Sequence, residues 1–520
     1  MCVVWGSRWQ MTVVTRYAAS RVQPPSPDGE MTASPWPRRL RAFTWALLGA
    51  GLLLHGAVFA VRGTSLLSQW RDAVGEGAEG LHVFAVWRAV ERLPLYGPAL
   101  SSPYVRVPGN ALFYETWAGA LRALGVEGER ILLWGRVLVL LAALGGAWAW
   151  AGLLRAVSGW RGWGLPLGLG ALAWLGSHFV GWWSVSLRPE LPALSCATVG
   201  LWLAVEAVTR GEARWMRGAG AAFSLAWGLH AGTWGMAAGV GAWLVLSRQW
   251  KLCVAGAAPV LGVAAGAYAF ASPDWVFQQF TAPGLEGRDL ERAHHVLSRV
   301  WPVCLPALGV ALGVLGRALK RGGEGRAVAG LLGCAGVASA LLAAVQVQRL
   351  SANRDALFEL YGVVAVLAAR PLLAEGPAWL RAGALAALSA WVAVAPLQLA
   401  YPGRFGVMQL EGSWRAGVRT WMKARAAAGG GTVLVLDDVL GQPWNSSGGR
   451  LPAYVLDVDW LAHAAGAAFP QLLRDVAGQP GVDALVGDAE AVQFIRGDTG
   501  GCRPLPASTG VPSWLECPPP

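Results

Sequence analysis

Long apolar stretches recur along this chain, and they constrain its fold more than any other feature. Of its 520 residues, 55% are hydrophobic and only 14% are charged. Apolar runs of about 18 residues or more can cross a bilayer as helices, which satisfy every backbone polar group internally. The sequence therefore predicts an all-α polytopic membrane protein rather than an ordinary soluble globular one.

The arginines set the predicted topology. The formal net charge is +11, a balance that can also indicate binding to nucleic acid. Here, however, the arginines collect at the ends of the apolar runs, as the positive-inside rule expects of cytoplasmic loops. Arg38, Arg39 and Arg41 precede the first run and place the N-terminus in the cytoplasm. Following the runs from there predicts about eleven spans, an extracytoplasmic C-terminal part and no nucleic-acid partner.

Composition divides the chain into three predicted segments. The first is a polar cytoplasmic extension whose true start is either Met1 or Met31. The second is the transmembrane domain, whose first extracytoplasmic loop covers residues 62–130. The third is a small extracytoplasmic α/β domain, with strands predicted over 432–436 and 484–486. The boundaries of the three segments are 1–41, 42–401 and 402–520.

Two features of these segments stay open. Residues 218–246 form either one long span or two short segments that break near 230–234. The broken form is preferred because it keeps Arg248 and Lys251 in the cytoplasm. Cys502 and Cys517 lie in the polar tail and either pair in an oxidising compartment or remain free thiols.

A short acidic motif directly follows the first predicted span. Residues 75–80 read Gly-Glu-Gly-Ala-Glu-Gly, so that Glu76 and Glu79 stand three positions apart between small residues. Carboxylates are costly beside lipid unless they serve a function, and a carboxylate can take a proton from an acceptor hydroxyl. Glu76 and Glu79 are therefore the candidate catalytic residues, and the sequence does not choose between them. The alternative is a solvated loop face.

Further polar side chains reach the same outer face in the predicted topology. An arginine fork can bind a phosphate, and paired carboxylates can hold a divalent metal, Mg²⁺ or Mn²⁺. The candidate substrate-binding residues are Arg188, Glu190, His82, Arg136, Arg354 and Asp355, and the candidate metal ligands are Glu76, Glu79 and Glu190.

Structural roles compete with these assignments. Arg188 and Glu190 can form a local ion pair at a helix start, and Arg136 can anchor at the lipid headgroups. His82 and His230 can be ordinary packing histidines. Asp355 and Glu359 stand at i and i+4 on one predicted helix, facing a cavity or an arginine.

Several of these stretches resemble the C superfamily of glycosyltransferases (GT-C), and in particular bacterial enzymes similar to dolichyl-phosphate-mannose mannosyltransferases. Protein O-mannosyltransferases and aminoarabinose transferases belong to the same superfamily. The likeness covers residues 42 to 480. It rests on Gly75-Glu-Gly…Trp87-Arg…Pro94-Leu-Tyr96, Asn110-Ala-Leu-Phe-Tyr114, Gly135-Arg136, Ser186-Leu-Arg-Pro-Glu190 and Arg354-Asp-Ala-Leu-Phe-Glu-Leu-Tyr361.

The chain departs from the family pattern at three places. Position 77 is glycine where some relatives have a second acid, and Glu190 stands where aspartate is expected. The glycine that usually precedes Pro-Leu-Tyr is replaced here by Glu91-Arg92-Leu93.

The resemblance implies a hexosyltransferase of the bacterial cytoplasmic membrane that acts with inversion. It would take sugar from a polyprenyl-phosphate donor and pass it to an extracytoplasmic glycan, lipid or protein. A transporter or glycolipid flippase is the alternative from another class, and it predicts ionisable groups near the bilayer midplane with broken helices in repeated halves. A non-catalytic assembly subunit is a third.

Overall fold

Helices make up most of the described chain in this computed structural model. The structure describes residues 38–68, 78–101, 105–177, 179–269, 271–285, 288–321, 324–349, 354–374, 376–401, 413–430, 432–435, 465–478 and 482–519. Within these residues the α-helices are α1 (Arg38–Ser68), α2 (Ala78–Val90), α3 (Ala111–Ala123), α4 (Arg130–Ser158), α5 (Gly164–Ala171), α6 (Glu190–Arg210), α7 (Ala213–Leu229), α8 (Gly235–Leu246), α9 (Trp250–Ala269), α10 (Pro273–Val276), α11 (Ala282–Leu285), α12 (Leu290–Arg321), α13 (Glu324–Gln346), α14 (Phe358–Ala369), α15 (Ala378–Ala400), α16 (Ser413–Ala427), α17 (Phe469–Ala477) and α18 (Ala489–Arg496).

Six helical segments of the described chain are long and apolar enough to cross a membrane. They lie in α1, α4, α6, α9, α13 and α15, and two shorter apolar segments cover Gly164–Gly176 and Gly235–Leu246. Two of the long helices, α4 and α6, end at Gly159 and Gly211 in the left-handed conformation, which glycine adopts without steric cost. The chain is therefore a multi-pass membrane protein.

The apolar segment that begins with α5 is not a single continuous helix in the structure. After α5 the chain continues as a π-helical turn, Leu172–Gly176, and then as a separate 3₁₀ turn, Gly181–Val185. Side chains from α1 satisfy the carbonyls that this interruption leaves unpaired. Arg62 Nη1 donates to the carbonyl of Leu175 at 2.7 Å, and His55 Nδ1 lies 2.8 Å from that of Gly176. The interruption delivers the Ser186–Glu190 turn to the start of α6.

The chain breaks between α7 and α8, as the preferred interpretation predicted. A carboxylate from α14 accounts for the break, because Glu359 accepts hydrogen bonds from the amides of Gly235 and Met236 at 2.8 and 3.0 Å. An anion at a helix N-terminus satisfies amides that have no partner inside the helix. Gln346 donates to the carbonyl of Gly232 and holds the connecting turn.

The C-terminal part contains a small four-stranded sheet with the order β1-β2-β4-β3. The strands are β1 (Thr432–Val435), β2 (Val482–Asp488), β3 (Arg503–Pro504) and β4 (Trp514–Cys517). Strands β1 and β2 are parallel, whereas β4 is antiparallel to both β2 and β3. The sequence predicted two strands and missed the last two, which are too short and too polar to show an alternating pattern. Cys502 and Cys517 form a disulfide.

This sheet domain packs on the first loop and on the segment around α11. Its core contains Leu434, Phe469 and Leu485, and this core also includes Ala99 and Ala282. Lys423 on α16 donates to Glu129 at 2.7 Å, immediately before α4 begins. Glu516 accepts from both Arg425 and Arg503. The domain therefore lies next to the loops that carry the predicted site.

Candidate functional site

The acidic motif leads into α2, and its second carboxylate is completely buried there. Glu79 lies in the first turn of α2, where an anion is favoured. Arg136 of α4 donates two hydrogen bonds to the Glu79 carboxylate, from Nε to Oε1 at 2.9 Å and from Nη2 to Oε2 at 2.7 Å. The amide of Leu187 also donates to Oε1 at 2.5 Å. Glu79 therefore ties the first loop to α4 and to the turn before α6.

That turn carries the second charged pair. Arg188 donates to Glu190 Oε1 through Nε at 3.0 Å and also through Nη2. Its guanidinium lies over the Trp183 ring, 4.0 Å from the centroid. Burial lowers the pKa of Arg188, but the carboxylates of Glu190 and Asp355 outweigh burial and raise it, so the guanidinium stays charged. The site therefore keeps a fixed, buried positive charge.

A histidine on α2 lies beside this pair. His82 Nδ1 is 2.8 Å from the hydroxyl of Tyr114, and the two rings are stacked. Burial lowers the pKa of His82 to about 3, against the opposing effect of Glu190. The imidazole is therefore neutral at physiological pH.

Two more side chains reach the cluster from other parts of the chain. His230, in the turn between α7 and α8, interacts electrostatically with His82 and Glu190. Arg106, from the first loop, interacts electrostatically with His82. The break between α7 and α8 therefore brings a second histidine to the site.

A pair of glutamines fixes the first-loop segment that carries Arg106. Gln278, in a π-helical turn, accepts a hydrogen bond from the amide of Val107 at 2.6 Å and donates to the carbonyls of Gly97 and Val105. Gln279 donates to the carbonyl of Gly109 at 3.1 Å. Both side chains are buried, so these bonds replace the backbone partners that an isolated extended segment lacks.

Comparisons with known proteins identify the fold. No family model and no curated protein matches the chain. ArnT from Cupriavidus metallidurans bound to undecaprenyl phosphate matches with a TM-score of 0.58 at 15% identity, over 91% of this chain and 98% of ArnT. The archaeal oligosaccharyltransferase AglB from Archaeoglobus fulgidus, in complex with an inhibitory peptide and a dolichol-phosphate, matches with a TM-score of 0.50 at 12% identity. That match covers 88% of this chain and 70% of AglB. Both are GT-C glycosyltransferases. The chain has the GT-C fold.

The GT-C fold brings together several of the residues that the sequence selected. Glu79, His82, Arg188, Glu190 and Asp355 belong to one cluster, in which Asp355 acts electrostatically on Arg188. Glu76 lies outside the described residues, and so does the side chain of Arg354. Arg354 begins the 3₁₀ turn Arg354–Leu357.

Two predictions need correction within this fold. Arg136 does not reach the lipid headgroups, because its side chain is buried against Glu79. Asp355 and Glu359 do not share one helix, since Asp355 lies in the 3₁₀ turn and Glu359 in α14. Asp355 acts on Arg188, whereas Glu359 binds the start of α8.

Sequence reasoning also passed over residues that the GT-C fold places in the site. Tyr114 stood in a quoted motif without a role, and His230 was weighed only as a packing residue. No local sequence pattern marks Arg106, Gln278 or Gln279. The positions of the two glutamines depend on contacts across more than a hundred positions of sequence, and that of Arg106 depends on the geometry of its loop.

The donor set does not suit a divalent metal. Within the described ranges, no group of three or more His, Cys, Asp or Glu side chains could hold one. Of the predicted ligands, Glu79 is already bound by Arg136 and Leu187, and Glu190 Oε1 by Arg188. A cation at Glu79 would have to displace the arginine already paired with it, and a cation at Glu190 would lie beside the Arg188 guanidinium.

Proposed function

We propose that this protein transfers a sugar from a polyprenyl-phosphate carrier to a glycan, lipid or protein acceptor outside the cytoplasmic membrane of a bacterium. The observation that carries the proposal is the bond from the Leu187 amide to Glu79, since it joins the two motifs that the sequence selected independently. The GT-C fold supports it, because structures with this fold include ArnT bound to undecaprenyl phosphate.

In the reaction, an oxygen of the acceptor attacks the anomeric carbon of the sugar. The bond from that carbon to the phosphate oxygen breaks, and polyprenyl phosphate leaves with the electron pair. A carboxylate takes the proton of the acceptor hydroxyl. Attack from the face opposite the phosphate inverts the anomeric configuration. A hexose is the sugar class that the sequence resemblance implies.

The two candidate carboxylates suit different tasks. Glu79 is fully buried and is bound by Arg136 and Leu187, so that no face of it is open to a substrate. We assign Glu79 a positioning role, because it fixes α2 against the turn before α6. Glu76, three positions upstream, remains the candidate proton acceptor.

Arg188 is the candidate ligand for the carrier phosphate. Its guanidinium is held in place by Glu190 and by the Trp183 ring, so it needs no reorganisation when negative charge develops on the departing phosphate. A preorganised donor of this kind stabilises a transition state more than a mobile one does. Arg354 is a second candidate from the sequence.

An apolar groove suits the isoprenoid chain of the carrier. A cavity of about 410 Å³ lies between α3, α7 and α9, and Leu112, Leu225, Pro259 and Val263 are among its lining residues. Asn110, at the start of α3, donates to the carbonyl of Trp227 on α7. Leu112 of the lining belongs to α3, the helix that also carries Tyr114 of the site.

The topology follows from the same proposal. About eleven spans would leave the N-terminus in the cytoplasm and the sheet domain outside, over the site. The disulfide between Cys502 and Cys517 supports an oxidising compartment for that domain. The proposed domain boundaries remain 1–41, 42–401 and 402–520.

The test is transfer of a radiolabelled sugar from polyprenyl phosphate in membranes that contain the protein. The doubly substituted variant Glu76→Gln with Glu79→Gln should lose transfer. Glu206→Gln is the matched control, because Glu206 pairs with Arg210 at the far end of α6. Undiminished transfer in the double variant would reject the assignment. Movement of the intact lipid-linked sugar across the bilayer, without transfer, would favour a flippase instead.

A further inference from the structure

One buried oxygen in the site has no hydrogen-bond partner. Glu190 is 5% exposed, and its Oε1 is occupied by Arg188. Its Oε2 is buried and accepts no hydrogen bond from any residue that the structure describes. A buried acceptor without a donor is costly, and native proteins rarely contain one. A ligand that donates to Oε2 would satisfy it, whereas the other oxygen of the same carboxylate is already bound by Arg188.

The surroundings of Glu190 limit what that ligand is. His82 and His230 are both electrostatic neighbours of Glu190. Because Nδ1 of His82 already contacts the Tyr114 hydroxyl, its Nε2 is the ring nitrogen available to a ligand. A neutral imidazole nitrogen either donates or accepts, depending on the tautomer. Glu190 therefore presents one strong acceptor, and the two histidines near it present nitrogens that can donate or accept.

A hydroxyl group suits these three side chains better than a cation does. A hydroxyl can donate to the carboxylate while it accepts from an imidazole. An ammonium group would gain little net charge interaction, because Arg188 already neutralises Glu190. Vicinal hydroxyls on a sugar ring present several such groups at close spacing, which suits a carboxylate acceptor with two imidazoles near it.

We propose that Glu190 Oε2 accepts a hydrogen bond from a sugar hydroxyl, with His82 and His230 as flanking partners. This inference rests on the proposed function and names the part of the substrate that Glu190 recognises. The hydroxyl belongs either to the sugar on the carrier or to the acceptor, and binding measurements separate the two.

The experiment compares a carrier with and without its sugar on purified protein in nanodiscs. The probes are undecaprenyl phosphate and undecaprenyl phosphate carrying glucose, mannose or galactose. Glu190→Gln replaces the free acceptor by a donor while an oxygen remains for Arg188. Glu190→Gln should weaken binding of the best sugar-bearing carrier by about tenfold or more beyond any change it causes for bare undecaprenyl phosphate, which Glu190 affects only through Arg188. Glu206→Gln on the same helix should change neither.

If neither the sugar-bearing nor the bare carrier binds more weakly, KM for the acceptor is measured in the transfer assay. A rise of similar size in Glu190→Gln assigns the hydroxyl to the acceptor. No change in either quantity, or an equal loss for the bare carrier, overturns the proposal. Because transfer by the native protein is scored separately, its absence rejects the enzyme and not the sugar contact.

A second variant guards against loss of folding. Glu190→Asp keeps the charge opposite Arg188 but withdraws both oxygens by one methylene. Glu190→Asp should show the same selective loss for the sugar-bearing ligand with an unfolding temperature close to that of the native protein. Full binding of the sugar-bearing ligand by a folded Glu190→Asp variant, together with an unchanged KM for the acceptor, would contradict the contact.

Discussion

The amide of Leu187 donates a hydrogen bond to Glu79 Oε1 across 108 positions of sequence. This bond, with the two that Arg136 adds, makes Glu79 the point at which the first loop, α4 and the turn before α6 meet. The position of Arg188, the residue after Leu187, therefore depends on a carboxylate that is fully buried.

Removal of Arg136 alone should be more damaging than removal of both charges of the pair. Arg136→Met leaves the Glu79 carboxylate buried without its cation, which should destabilise the protein by about 3–5 kcal/mol. Combining Arg136→Met with Glu79→Gln removes the uncompensated charge and should restore much of the stability but not the transfer activity. Unfolding temperatures in detergent, followed by tryptophan fluorescence, check this order. A single Arg136→Met variant as stable as the native protein would contradict the role of the pair.

The stability of the protein should fall as the pH drops below the ordinary pKa of histidine. The pKa of His82 is lowered from 6.5 to about 3 by burial. Between these values the unfolded chain binds a proton that the folded protein does not, so acid favours unfolding. The expected loss from His82 is about 2 kcal/mol at about pH 5.

His82→Gln tests this origin of the pH dependence, because glutamine does not titrate and can still bond to Tyr114. Unfolding temperatures measured from about pH 7 to about pH 5 should fall less in His82→Gln than in the native protein. The same slope in both proteins would show that His82 is not the responsible group.

Filling the groove between α7 and α9 should affect long carriers selectively. Leu225 lines this groove, and Leu225→Trp should raise KM for undecaprenyl-phosphate sugars about fivefold or more, because an overpacked contact costs roughly 1–3 kcal/mol. A sugar phosphate on a short, water-soluble alkyl chain should be used equally well by both proteins. Leu246→Trp is the control, since Leu246 is 76% exposed at the end of α8. Equal losses with short and long carriers would place the isoprenoid chain elsewhere.

Arg92 occupies a backbone conformation that suits glycine. Its φ is 57°, and the amide of the next residue, Leu93, bonds to the carbonyl of Arg88 in the pattern that closes a helix C-terminus. Arg92→Gly should stabilise the protein by about 1 kcal/mol, because the left-handed conformation is strained for other residues. Transfer activity should not change. The unfolding temperature measures the gain, and Arg92→Ala, which keeps the strain, should give none.

Arg92 also shows how much of the structure could be predicted from the sequence. The glycine that the family pattern has before Pro-Leu-Tyr is absent here, yet Arg92 has the positive φ that glycine adopts most easily. Patterns of local origin were predictable: the sequence predicts the break between α7 and α8, and the GT-C fold from short motifs. It also selected Glu79, Arg188 and Glu190 for one site.

Relationships that depend on distant contacts were not predictable. The sequence shows Arg136 at a helix end, but only the packing of α4 against α2 shows that it pairs with Glu79. The sequence around His230 suggests only a packing residue. Its place in the site depends on the hydrogen bonds that the α8 amides donate to Glu359, which fix the turn beside it. Charge and periodicity describe one element at a time, whereas these partners come from different helices.

Release of the carrier tests the central claim most directly. Purified native protein in proteoliposomes is supplied with undecaprenyl-phosphate sugars and bacterial envelope lipids, and mass spectrometry follows the carrier and the acceptor. The account predicts that one carrier is converted to undecaprenyl phosphate while an acceptor gains one sugar, and that Arg188→Gln abolishes both changes but Glu206→Gln neither. Carriers that stay intact with every sugar, or full conversion by Arg188→Gln, would contradict it.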